Sequence, residues 1–183
     1  MACDLTNVGY NVDSCVESFA GTGIDVIFFK APDDAPAYDN AKNRFADGAF
    51  TGVVGYKVKI KADSGEVTWT ANGNNAGYTA VANFLVDGDI NKMAVNNRTL
   101  SNLGGKFGVA VPVGTETVGQ GDSAVVKTLY DIIYDYTRGV KFEVSGTTGK
   151  AATDEKGHTI TVTCATMLYG PTQWAGEFTE PSA

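Results

Sequence analysis

Tyr78–Val113 reads YTAVANFLVDGDINKMAVNNRTLSNLGGKFGVAVPV, and this stretch decides the fold class. Thr79–Val86 is apolar and rich in β-prone residues, so it reads as a strand. Asp87-Gly88-Asp89 is a turn, with Asp89 placed to cap a helix. Ile90, Met93, Ala94, Leu100 and Leu103 then form an apolar stripe at helical spacing, which predicts a helix over about residues 90–103. Gly104-Gly105 ends it, because glycine supplies the left-handed residue that helix C-termini commonly use. Lys106–Val113 returns as a strand with Phe107, Val109, Val111 and Val113 on one face. The unit is one helix flanking a β-sheet core.

C-terminal to this unit, Gly114–Asp122 is a glycine-rich loop of the kind that orders against a partner. In Ser123–Tyr136, Tyr130, Ile132, Tyr134 and Tyr136 alternate with Asp131, Ile133 and Asp135, which favours a strand over a helix. Lys141–Ser145 points Phe142 and Val144 inward. His158, Ile160, Val162 and Cys164 alternate with Thr159, Thr161 and Thr163, a strand with one apolar and one hydroxyl face. Residues 168–183 read as an extended tail anchored by Trp174.

N-terminal to the unit, Ile24–Lys30 (IDVIFFK) is apolar on both faces and is expected to be buried on both sides. Ala31–Ala46 is a polar connection containing Pro32 and Pro36. Phe50–Ala62 alternates most clearly, with Tyr56, Val58 and Ile60 on one face and Lys57, Lys59 and Lys61 on the other. Asp63-Ser64-Gly65 is a turn, and Glu66–Ala71 returns with Val67, Trp69 and Ala71 inward, so the two strands are expected to form a hairpin. Residues 1–18 read either as an arm or as a frayed terminus.

These segments predict a mainly β chain, an antiparallel β-sandwich or small barrel with one flanking α-helix. A single domain over residues 1–183 is expected, with an N-terminal arm at 1–18 and a tail at 168–183. The chain has 183 residues, which suffices for one sizeable core. Its formal net charge is −7, so it lacks the basic footprint of a DNA binder. No apolar run approaches the roughly 20 residues of a membrane span. The first fifteen residues show neither the basic nor the apolar region of a secretory signal. Cys3, Cys15 and Cys164 are an odd set, read as free thiols in a reducing compartment, with a Cys3–Cys15 disulfide or shared metal site as the sharper alternative.

Searching for chemistry returns little. His158 sits in an apolar row and reads as structural. Asp33-Asp34 and Asp87/Asp89 lack the rest of a calcium loop, and Gly114–Gly121 lacks a P-loop lysine. No catalytic residue, cofactor or metal site is assigned, and an enzyme is not expected. The lysine row, Lys57, Lys59 and Lys61, is either a solvated face or an inter-subunit seam against an acidic neighbour. Tyr130, Tyr134, Tyr136 and Trp174 are candidate interface aromatics.

The opening MACDLT, the glycine-bounded IDVIFF strand, the strand–helix–strand order of 79–113 and the late G-x-T-I-T-V-T of Gly157–Thr163 together resemble virion structural proteins from phages of Bacteroidota-type hosts. The chain departs from that pattern in a longer Gly114–Val126 insertion and in Gln173–Ala183. The resemblance implies a tail tube (major tail) protein: a β-sandwich or small barrel with one helix, assembling into hexameric rings that stack into a conduit for DNA. It implies copies of the chain itself as partners, with other tail or capsid proteins. DNA would pass without specific binding, and no membrane is involved. The protein would be assembled in the host cytoplasm and reside in the virion tail. Residues 1–18, 31–49 or 114–126 would then reach the next ring. A capsid decoration or head-fibre protein is the other structural reading. A carbohydrate-binding β-sandwich with Trp69, Trp174 and the tyrosines as a stacking platform is the third.

Overall fold

A computed structural model describes residues 25–61, 65–73, 76–86, 106–118, 124–135, 137–147, 157–167, 170 and 172–181. It is mainly β, with antiparallel sheets throughout, and the helix expected over 90–103 lies outside the described residues, as does the arm at 1–18.

The strands are β1 (Asp25–Lys30), β2 (Tyr38–Asp39), β3 (Arg44–Phe45), β4 (Gly55–Lys59), β5 (Glu66–Ala71), β6 (Tyr78–Val86), β7 (Phe107–Val118), β8 (Val125–Ile133), β9 (Lys141–Thr147), β10 (Gly157–Met167) and β11 (Thr172–Gly176). They form a five-stranded sheet, β11-β8-β7-β1-β4, and a four-stranded sheet, β5-β6-β10-β9; β2 and β3 make a two-residue ribbon of their own.

The sheets pack face to face. Val26 and Phe28 of β1, Val58 of β4, Phe107, Val109 and Val111 of β7, and Ile133 of β8 meet Ala80, Ala82 and Phe84 of β6, Phe142 of β9, and Ile160, Val162 and Cys164 of β10. This is a sandwich core made of the alternate residues of each strand. β10 fulfils its alternation: His158, Ile160, Val162 and Cys164 are all buried.

The other face of the five-stranded sheet has its own core. Ile27 and Phe29 of β1, Ala110 of β7, Tyr130 and Ile132 of β8 and Trp174 of β11 converge with Phe45, Phe50 and Tyr134. β1 is therefore buried on both faces, as its two apolar rows require. The sheet must curl to build this core. Gly176 pairs with Thr128 on β8, and Thr179, three residues on, bridges Val54 beside β4. Three residues span at most about 11 Å. Four flat inter-strand steps would separate β11 from β4 by about 19 Å. With one more inter-strand step for the bridge itself the reach is still short of that, so the sheet curls, and the segment after β11 bridges its two edges into a nearly closed small barrel around an aromatic centre. The expectation of a mainly β, antiparallel fold is met, with one core on each face of the five-stranded sheet.

Four readings are corrected. β4 and β5 do not form a hairpin: β4 pairs with β1 and β5 with β6, so the chain passes from one sheet to the other. The backbone N–H of Lys61 already donates to Leu85 at the end of β6, which marks the crossing. Ala71 is exposed rather than inward. The tail is structural, because Thr172–Gly176 is a strand with Trp174 only 1% exposed. The connection after β1, read as polar, sends Phe45 into the barrel core as a plug, joined by Phe50 just beyond it, while residues 33–35 and 40–43 are exposed.

Glycines within strands make room for this core. Gly108 lies opposite Phe29, whose ring lies across it: an added Cβ would meet Phe29 Cζ at 2.4 Å. Gly55 does the same for Phe178 and Ile27.

Candidate functional site

Two surface features stand out, the β7–β8 hairpin arm and the seam where the barrel closes. β7 pairs with β1 only from Phe107 to Ala110, and β8 pairs with β11 only from Thr128 to Ile132. Beyond those limits β7 and β8 continue together, Thr115–Val118 against Val125–Thr128, as a two-stranded ribbon. A register shift between Pro112 and Gly114 marks where the ribbon leaves the sheet. It carries exposed Val125 (55%) and Val126 (60%), and Val113 (39%) sits exposed at the register shift. Gly114–Val118, expected as loop, is thus strand. The arm is tied back at one point: Arg44 of β3 donates to Glu116 and to Asp47, and Lys42 also pairs with Asp47. Asp47's carboxyl is pushed up by partial burial but pulled further down by Lys42, Arg44 and Lys127, and so lies below its ordinary range.

At the seam, Thr179 N donates to Val53 O and Gly55 N donates to Thr179 O, both at 2.9 Å. Phe178 drops into the barrel beside Trp174, Phe29, Tyr130 and Phe50, with ring centroids 4.9, 5.2, 5.5 and 6.3 Å away. Lys57 Nζ donates to Glu180 at 2.9 Å. That hydrogen bond raises the Lys57 ammonium against the effect of partial burial, and it lowers the Glu180 carboxyl.

The lysine row is therefore placed as follows. Lys57 and Lys59 lie on the barrel sheet's edge strand, Lys59 opposite Asp25 and Lys57 opposite Ile27. The acidic neighbours expected from another subunit are in part the chain's own Glu180 and Asp25. Burial pushes the Asp25 carboxyl up, and Lys57 and Lys59 reverse only part of that. Lys61 stands apart, at the crossing to β6.

The candidate interface aromatics are corrected. Tyr130, Tyr134 and Trp174 are buried inside the chain's own barrel core, and Tyr136 lies outside the described residues. Trp174 stacks on Tyr130 and its Nε1 donates to Asp47 O at 3.2 Å; Tyr134 Oη donates to Pro32 O at 3.0 Å. These bonds fasten the plug to the barrel. Trp69 is partly buried against the sandwich core, and the fully buried Trp174 offers no open stacking platform for a sugar. His158 is buried at the start of β10, with Nδ1 unpartnered among the described residues and Gly146 beneath its ring. No group of three metal-ligating side chains occurs among the described residues.

Sequence reading missed three features. Phe178 stood in an expected tail, although its place between Glu177 and Glu180 was the signal of an apolar anchor. Arg44 and Glu116 are 72 residues apart, and nothing local joins them. Asp135 was read only as one member of an alternating row. Its carboxylate accepts hydrogen bonds from Thr137 N, Thr137 Oγ1, Arg138 N and Thr166 Oγ1, which lock the turn after β8 to β10.

Compared with protein-family models, with curated proteins and with solved structures, the chain matches none.

Proposed function

We propose that this chain is a self-assembling structural subunit, a tail tube protein whose copies form stacked hexameric rings around a channel for DNA. The observation that carries the reading is the β7–β8 arm. A two-stranded ribbon is marginal in water on its own, and here it bears exposed Val125 and Val126, with exposed Val113 at its base, and leaves the sheet that would support it. Such an arm gains stability when a second copy covers it. The acidic balance of −7 suits a conduit that passes a polyanion without holding it. Other tail or capsid proteins would cap the ends of the tube.

Negative-stain microscopy of the purified, concentrated chain tests the reading. Stacked six-fold rings are expected, and the double variant Val125→Asp/Val126→Asp is expected to stay dispersed with an unchanged far-UV spectrum. A chain that remains monomeric at high concentration, with and without tail-tip components, would overturn it. Three-fold bodies bound to capsids would replace it with a decoration protein.

A further inference from the structure

The barrel closes through few groups. Among the described residues its seam is one isolated bridge, with the backbone bonds of Thr179, the ring of Phe178 and the Lys57–Glu180 pair beside it. Thr179 and Glu180 are exposed, whereas the groove that receives them is built. Gly55 has no side chain where Phe178 sits, and a Cβ there would meet Phe178 Cβ at 2.7 Å. Phe29, Phe50, Tyr130 and Trp174 wall the pocket for the Phe178 ring.

We propose that residues 177–181 are an exchangeable connector, which in the assembled protein seats on the β4 edge of a second copy of this chain. The occupant is fixed by identity: the groove already holds this segment, so the same segment from a neighbour makes the same bonds. Exchange of an identical element breaks one set of bonds and remakes an equivalent set across the boundary, and such exchange is a low-cost route to association. An edge strand that is closed by a short, separable piece of chain is also a ready site for strand addition. Geometry limits the partner's position. Gly176 stays fixed on β8, and from there to Thr179 the chain reaches at most about 11 Å, so the two barrels must lie side by side at their seams. If each copy passes its segment to the next, the contact is head-to-tail, the kind that closes into a ring. The inference rests on the self-assembly reading and names its connector.

Cross-linking between two kinds of chain tests it. In full chains carrying Cys3→Ser and Cys15→Ser, one population carries Val54→Cys and the other Thr179→Cys. They are mixed, concentrated and treated with a short bismaleimide. Neither population can link its own seam. A covalent dimer of the two kinds is expected, with its yield lowered about tenfold when Phe178→Ala removes the anchoring ring. A yield no higher than with Thr70→Cys, exposed on the far sheet, in place of Thr179→Cys would overturn the inference. So would a chain carrying both seam cysteines that links only within itself while assembled. Micrographs of the same samples separate the two claims. Tubes without cross-chain linkage reject the connector and keep the tube, whereas linkage without tubes keeps the connector and rejects the tube.

Discussion

Asp135 and Asp131 stand four residues apart and have opposite electrostatic fates. Burial pushes both carboxyls up. At Asp131 that effect wins, because a single hydrogen bond from Gln173 opposes it. At Asp135 the bonds from Thr137, Thr166 and Arg138 outweigh burial and hold the carboxyl below its ordinary 3.8. The folded chain therefore binds Asp135's proton more weakly than the unfolded chain does. Its contribution is complete above about pH 4 and is lost as the pH falls through the lower folded value. Asp131 has the reverse sign, so its ionised form weakens the fold at neutral pH. Urea titrations check both. Asp135→Asn is expected to cost about 2 kcal/mol at pH 7 and to flatten the acid limb of the stability profile. Asp131→Asn, which keeps an acceptor for Gln173, is expected to be neutral or slightly stabilising. Equal losses in the two variants would refute the assignment. Cys164 lies fully buried in the sandwich core, where burial pushes its thiol up to about 11 against a backbone hydrogen bond from Thr166, as suits a packing residue.

Elements whose side chains alternate between two fates were legible. β1 showed two apolar rows and is buried twice; β10 showed one apolar and one hydroxyl row and divides its faces accordingly. Partner choice was not legible. Asp63-Ser64-Gly65 looks the same whether the chain turns back within a sheet or crosses between sheets, and Tyr56–Ile60 keeps its inward row in both cases. The glycines were similarly ambiguous. Gly55 and Gly108 stand inside stretches that read as strands, as they are, but the need for glycine there, beneath aromatic rings, is visible only once Phe29 and Phe178 are placed. At this scale the lysine row yields a prediction. Lys57→Glu sets a third carboxylate beside Glu180 and Asp25, at the strand edge the closing segment occupies. The pair is exposed, so global stability is expected to change little. The Thr179 and Gly55 amides, which hold the seam, are expected to exchange with solvent severalfold faster at low salt, an effect that high salt reduces. Unchanged exchange at both amides would show that the ion pair does not hold the seam.

At the scale of the molecule, sandwich and barrel share a wall. Phe28 and Phe29 are neighbours in the chain, yet one ring packs on Phe142 in the sandwich core and the other on Phe50 in the barrel core. β7 divides in the same way, with Val109 on one side and Ala110 on the other. The aromatic centre was hidden from sequence reading because its parts come from β1, the plug, β8 and the segment after β11, and only closure of the sheet brings them together. Neither core can be dismantled while β1 and β7 stay in place for the other, so the described fold should unfold as one unit. The two tryptophans report on this separately, since Trp174 lies in the barrel core and Trp69 against the sandwich core. Trp174→Phe leaves fluorescence from Trp69 alone, and Trp69→Phe leaves it from Trp174 alone. Replacing the fully buried Trp174 removes its bond to Asp47 and opens a cavity, so that variant is expected to lose about 2–3 kcal/mol, and the Trp69 variant less. Within each variant, fluorescence and far-UV circular dichroism are expected to give the same urea midpoint. Earlier loss of the Trp174 signal than of the strand signal would mean that the barrel opens while the sandwich persists, and the shared wall would then not couple the two cores.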